Sequence, residues 1–206
     1  MSYKDAALII VDVQNDFCPG GPLGVPEGDA VIPVINGVGE RFGARVLTQD
    51  WHPNGHLSFA SSHPGMAPMS ITQLSYGDQV LWPDHCVQGS AGAAFHEALV
   101  VDSADLIIRK GFRSEIDSYS AFFENDQTTS TGLTGYLKTR GFERLFMVGL
   151  TTDFCVGSSA LDARREGFEV TLIDDACRAI DKNGSLDAML RSMSDAGVHR
   201  LNSHAL

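Results

Sequence analysis

The feature that most constrains this chain is an alternation of short, apolar, β-rich runs with stretches of helical character. The runs at Ala6–Val13, Arg45–Thr48, Leu106–Arg109, Arg144–Leu150, Glu169–Ile173 and Val198–Leu201 predict strands. LIIVDV and LFMVGL are nearly all apolar, so these strands are expected to be covered on both faces. Helices are predicted between them at Asp29–Phe42, Thr129–Arg140, Asp153–Glu166 and Ser185–Asp195. Gly43, Gly141, Gly167 and Gly197 stand where helices would end, each just before a strand. The pattern predicts an α/β fold: one three-layer α/β/α domain over residues 1–206 with a central, mainly parallel, six-stranded sheet. Ligands in such sheets bind in the crevice beyond the carboxyl ends of the strands.

The net charge of -11 disfavours nucleic acid and anionic lipid as partners, because such a surface repels phosphate on average. No stretch approaches the run of about 18 apolar residues that a membrane span needs, and MSYKDAALII has no signal-peptide pattern. A cytoplasmic location is the expectation, with no membrane partner. Cys18, Cys86, Cys155 and Cys177 form no CxxC pair and no zinc-finger spacing, so they are expected to be reduced thiols.

Three strand ends carry groups able to do chemistry. Asp12 follows the buried run LIIV, where a carboxylate is costly unless paired, although a turn-capping Asp is an equally good reading. Lys110 closes LIIRK; a strand-end Lys is ordinarily a solvated residue. Cys155 follows LFMVGL in GLTTDFCVGSS, where Thr152 or Asp153 can cap a helix and place the thiol in its first turn. The helix dipole there favours a thiolate, whereas the bland reading is a buried structural Cys. Together the three supply a base, a charge stabiliser and a sulfur nucleophile.

The stretch from Trp51 to Ala91 is too long for a plain connector, and its Trp and His content predicts an ordered loop that builds a site. Asp50 and His52 stand two apart after a strand, on the same side of an extended backbone, and His85 can add a second imidazole. Two His and a carboxylate suit a divalent metal such as Zn²⁺, Fe²⁺ or Mn²⁺. His56 and His63 are further candidate ligands, while His96, His199 and His204 read as structural or solvated.

LIIVDVQNDFCPGG, TQDWHP, WPDHCVQG, RKG, DSYSAFF and GLTTDFCV, in this order along the chain, closely resemble the nicotinamidase branch of the isochorismatase-like hydrolases. The resemblance implies a catalytic triad of Asp12, Lys110 and Cys155, and one divalent metal ion on Asp50, His52 and His85. It implies an aromatic clamp of Phe17 and Trp82 with Tyr119 nearby, and an oxyanion hole at Thr151 and Cys155 after a cis Leu150–Thr151 bond. His56 stays open as a ligand, because the family varies there. The implied reaction converts nicotinamide, and with it pyrazinamide, to the acid and ammonia through a thioester. An amidohydrolase acting on another small amide, or a catalytically silent module of the same fold, are the alternatives. The sequence leaves the oligomeric state open, and a homo-oligomer is compatible with it.

Overall fold

The structure, a computed structural model, describes residues 2–206. Its strands are β1 (Tyr3–Val11), β2 (Phe42–Asp50), β3 (Ile71–Leu74), β4 (Gly77–Val80), β5 (Leu106–Lys110), β6 (Arg144–Leu150), β7 (Glu169–Arg178) and β8 (His199–Leu201). The α-helices are α1 (Val31–Gly39), α2 (Leu133–Thr139), α3 (Gly157–Arg165) and α4 (Ser185–Asp195). Six strands form one sheet in the order β5-β2-β1-β6-β7-β8, with every neighbouring pair parallel. The expected fold class holds.

The all-apolar strands are explained by what covers each face. In β1, Ala7, Ile9 and Val11 enter one core with Leu133 and Leu137 of α2, Ala160 and Ala163 of α3, and Met193 of α4. Ala6, Leu8 and Ile10 enter the other, against Val31, Ile32 and Ile35 of α1. Leu8 and Ile9 are both fully buried, each stabilising the fold by about 1.5–3 kcal/mol. No described helix is long and apolar enough to cross a membrane.

Several boundaries differ from expectation for local reasons. Asp12 takes a left-handed conformation, φ 47°, so β1 stops at Val11 rather than running to Val13. Helix α1 ends at Gly39, not Phe42, and Gly43 lies inside β2 rather than capping a helix. An added Cβ at Gly43 would collide with the Lys4 carbonyl, so the glycine serves close strand approach. Residues 129–132 precede α2 in non-helical chain, where Ser130 makes an antiparallel bridge with Phe123, Thr131 N–H donates to Phe122 O and Gly132 has φ 95°. The predicted Asp153–Glu166 helix begins as a π-helical turn, Thr152–Val156, before α3. The loop from Trp51 to Ala91 contains the antiparallel hairpin β3–β4, which no periodicity in the sequence announced.

Candidate active site

The chain leaves β1 toward β2 on one side and β6 lies on the other, so a crevice opens at the carboxyl ends of these strands. Asp12 follows β1, Asp50 and Lys110 close β2 and β5, and Thr151 follows β6. The register Asp50↔Lys110 sets two of these side by side. The left-handed turn at Asp12 lets its N–H donate to Thr48 Oγ1 (3.1 Å) while that hydroxyl donates to Asp12 Oδ1 (2.5 Å).

Lys110 is fully buried and is the hub of the site, not the solvated strand end that a lysine usually makes. Its Nζ lies 2.8 Å from Asp12 Oδ2 and 3.0 Å from Asp50 Oδ1, donates to Ser118 O at 2.8 Å, and sits 3.5 Å from Cys155 Sγ. Two buried carboxylates share one ammonium, which leaves an excess negative charge. Burial pushes the Asp12 carboxyl above its usual range; Lys110 pulls it back, and the Asp50 charge adds to the rise. Burial works against the Lys110 charge too, but Asp12 and Asp50 outweigh it and hold the ammonium well above its usual range.

Cys155 corrects the expectation of a thiolate favoured by a helix start. It sits within the π turn, and burial pushes its thiol well above the usual range; Lys110 lowers it, while Asp12 and Asp50 raise it. The resting group is therefore the thiol, and it ionises by passing its proton to a base. Asp12, itself raised and, like the thiol, beside the Lys110 ammonium, is matched to that exchange.

Asp50 Oδ2 faces two imidazoles: His52 Nε2 at 3.1 Å and His85 Nε2 at 3.5 Å. His52 Nδ1 donates to Gly111 O (2.9 Å) and His85 Nδ1 to Pro83 O (2.8 Å). A carbonyl only accepts, so in each neutral ring Nε2 is left with a lone pair turned to the carboxylate. One atom from each of the three residues lies within 4.8 Å of the others. Converging lone pairs repel unless a proton or a metal ion sits among them, and Nδ1–H bonded to a backbone carbonyl is the usual support of a ligating His. The residues fit a metal ion. Burial works against the Asp50 charge, but a proton on His52 Nε2, which Asp50 in turn favours, and the Lys110 ammonium outweigh it and hold the carboxyl well below its usual range.

His56 is differently committed. Its Nδ1 accepts from Ser58 N–H (3.1 Å) and Nε2 donates to Arg113 O (2.7 Å), which leaves no lone pair for an ion. His63 Nε2 bonds to Leu57 O at 2.8 Å, away from the cluster. Asp117, which sequence reasoning missed, is buried with Oδ1 4.0 Å from His52 Nε2. It accepts from Gln79 Nε2 (2.9 Å) and Ser118 N–H (2.8 Å).

Several of these groups line an aromatic cleft with about 310 Å³ of free space, part of it open to solvent. Phe17, Trp82 and Tyr119 line it as expected, together with Asp50, His85, Asp117, Thr151 and Cys155; Leu23, Phe154 and Ile180 were not anticipated. Trp82 stands edge-on to Phe154, centroids 4.9 Å apart, and its Nε1 donates to Tyr119 OH at 3.1 Å. Phe154 had a signal in its place beside Cys155; Leu23 and Ile180, apolar residues in turn-rich segments, had none. The Leu150–Thr151 bond is cis, and Thr151 Oγ1 is buried without a hydrogen-bond partner among the described residues. Such an atom is free to bond a water or a ligand.

Comparison with known proteins agrees with this geometry. The isochorismatase domain matches residues 6–204. A nicotinamidase of Acinetobacter baylyi is 55% identical over 200 residues, covering 97% of this chain and 94% of the relative. Among solved structures, the Acinetobacter baumanii nicotinamidase/pyrazinamidase superposes with a TM-score of 0.98 at 53% identity, covering 100% of this chain and 99% of the other. An L. infantum protein in complex with nicotinate gives 0.87 at 42% identity, covering 100% and 98%. A pyrazinamidase of Pyrococcus horikoshii in complex with zinc gives 0.76 at 35%, covering 96% and 99%. With the domain matched nearly end to end and these relatives alike over their whole length, the chain belongs to the isochorismatase family.

Proposed function

We propose that this protein is a nicotinamidase that hydrolyses nicotinamide to nicotinic acid and ammonia through a thioester on Cys155. The observation that carries the reading is one aromatic cleft lined both by the Asp12–Lys110–Cys155 cluster's sulfur and by the converging donors of Asp50 and His85. Its resemblance to nicotinamidases over nearly the full chain supports the substrate.

A divalent cation on Asp50, His52 and His85, for which Zn²⁺ suits the donor set and the zinc-bound pyrazinamidase relative, supplies a Lewis-acid point that can hold a ring nitrogen. Phe17, Trp82 and Tyr119 pack against the ring and hold the carboxamide near Cys155. Asp12 takes the thiol proton while Lys110 stabilises the sulfur anion, which attacks the carboxamide carbon. Backbone N–H groups of Thr151 and Cys155 receive the oxyanion. Asp12 passes its proton to the amide nitrogen, the C–N bond breaks and ammonia leaves. Water then attacks the thioester and Asp12 accepts its proton. Collapse expels the sulfur, which recovers that proton, and nicotinic acid departs.

Ammonia release from nicotinamide, pyrazinamide and benzamide, before and after chelation, tests the reading. Nicotinamide and pyrazinamide, each with a suitably placed ring nitrogen, are expected to turn over, and benzamide poorly. Cys155→Ala should abolish turnover while keeping fold and metal content. Equal turnover of benzamide, or an active Cys155→Ala protein, would overturn the mechanism.

A further inference from the structure

Asp153, two residues before Cys155 in the π turn, is buried and has no part in the reaction above. Contrary to the sequence expectation it caps no helix. Its carboxylate reaches instead to the segment between β7 and α4. Oδ1 accepts from Ile180 N–H (3.1 Å), and Oδ2 accepts from Asp181 N–H (2.8 Å) and Ser185 Oγ (2.6 Å). Ser185 Oγ in turn accepts from Lys182 N–H at 3.0 Å. The loop has physical need of such an anchor. Asp181, Asn183 and Gly184 all have positive φ (49°, 54° and 79°), a region that L side chains resist. Three donors on one carboxylate make a strong tether.

What the tether positions is Ile180. Ile180 lines the catalytic cleft together with Phe154 and Cys155, and also lines an adjoining outer cavity with about 1030 Å³ of free space. Leu23 is the other side chain common to both, so Leu23 and Ile180 form the partition between cleft and outer cavity. We propose that Asp153 is a positioning residue, tying the nucleophile's turn to the 179–184 loop so that Ile180 closes the cleft around a flat, unsubstituted heteroaromatic amide. The substrate class rests on the nicotinamidase reading; the tether itself rests on the hydrogen bonds alone.

The test compares the unmodified protein with Asp153→Ala, Ile180→Ala, the double variant and the milder Ser185→Ala. Amide hydrogen exchange at Ile180 and Asp181 is read alongside KM and kcat for nicotinamide and 6-methylnicotinamide. Loss of the tether should speed exchange at both amides and raise KM for nicotinamide about tenfold, with kcat within about threefold. Discrimination against the methylated amide should narrow. Ile180→Ala should reproduce the KM change, and the double variant should add little to either single change, as expected of residues acting through one contact. Ser185→Ala should move exchange and KM the same way by less, and it carries the test if Asp153→Ala fails to fold. Unchanged exchange, additive KM effects, or a fall in kcat at constant KM would overturn the proposal. A protein that hydrolyses no nicotinamide would overturn the functional reading, while the exchange comparison would still judge the tether.

Discussion

Asp12 shows how one side chain can work against the fold for the sake of the chemistry. An Asp whose folded-state pKa is raised above its usual 3.8 costs stability when ionised. The cost is absent below the unfolded pKa and grows as pH rises through the folded one. Asp12→Asn should therefore be inactive yet at least as stable at pH 7, with its advantage in Tm vanishing as pH falls toward 3.8. In the unmodified protein the same rise places the acid limb of kcat/KM above the ordinary carboxylate range. Lys110 gives the opposite result. Its folded pKa lies above 10.5, so its contribution is fully present below that value and is lost only as pH rises beyond it. Lys110→Met strands Asp12 and Asp50 together in the interior, where losing one partner of a buried pair costs about 3–5 kcal/mol. Thermal melts of both variants across pH, with the rate of Cys155 alkylation, check these signs; Lys110→Met should melt far lower and alkylate more slowly at neutral pH.

At the scale of elements, the proposed metal-ligating geometry depends on a turn that carries no ligand. Gly111 follows β5 with φ 66°, and its carbonyl orients His52. An added Cβ would stand 2.5 Å from His52 Cε1. Gly111→Ala should tilt that ring and lower metal retention on dialysis, nearly as His52→Ala would. His56→Ala should keep its metal despite a loss of stability, since both its nitrogens serve the backbone and Ser58; metal analysis of the three variants separates the cases. Such dependence explains what could be read in advance. The central strands were legible because Leu8, Ile9 and their like must be apolar when both faces are covered, whereas the half-exposed edge strands β5 and β8 were placed by the alternation with helices. Asp12, Lys110 and Cys155 were legible as strand-end groups, and their matching segments implied the roles. The hairpin was not, because its side chains are mostly exposed or half-exposed and show no apolar period. Asp117 and Gln79 were hidden for a related reason: their value lies in partners 38 residues apart, which local spacing does not reveal.

For the whole molecule, the order of the strands separates the binding of a cation from the building of its support. Asp50, His52 and His85 all fall in the first half of the chain, yet central β1 pairs Ala6 with Arg144 and Val11 with Gly149. A ribosome therefore releases the three donors long before β1 gains its second neighbour. Long-range parallel pairing of this kind is slow, because loop closure must precede the contacts that repay it. A fragment of residues 1–140 should leave one edge of β1 open, aggregate, and hold zinc far more weakly than the full chain, as titration against a chromophoric chelator would report. A fragment that bound zinc as tightly as the full chain would show that the ligands assemble without β6. The proposed nucleophile arrives still later, in the turn after β6, so Cys155 enters a site whose carboxylates and lysine are already encoded upstream. Vectorial synthesis thus delivers the reactive sulfur last, when Asp12 and Lys110 can receive it at once.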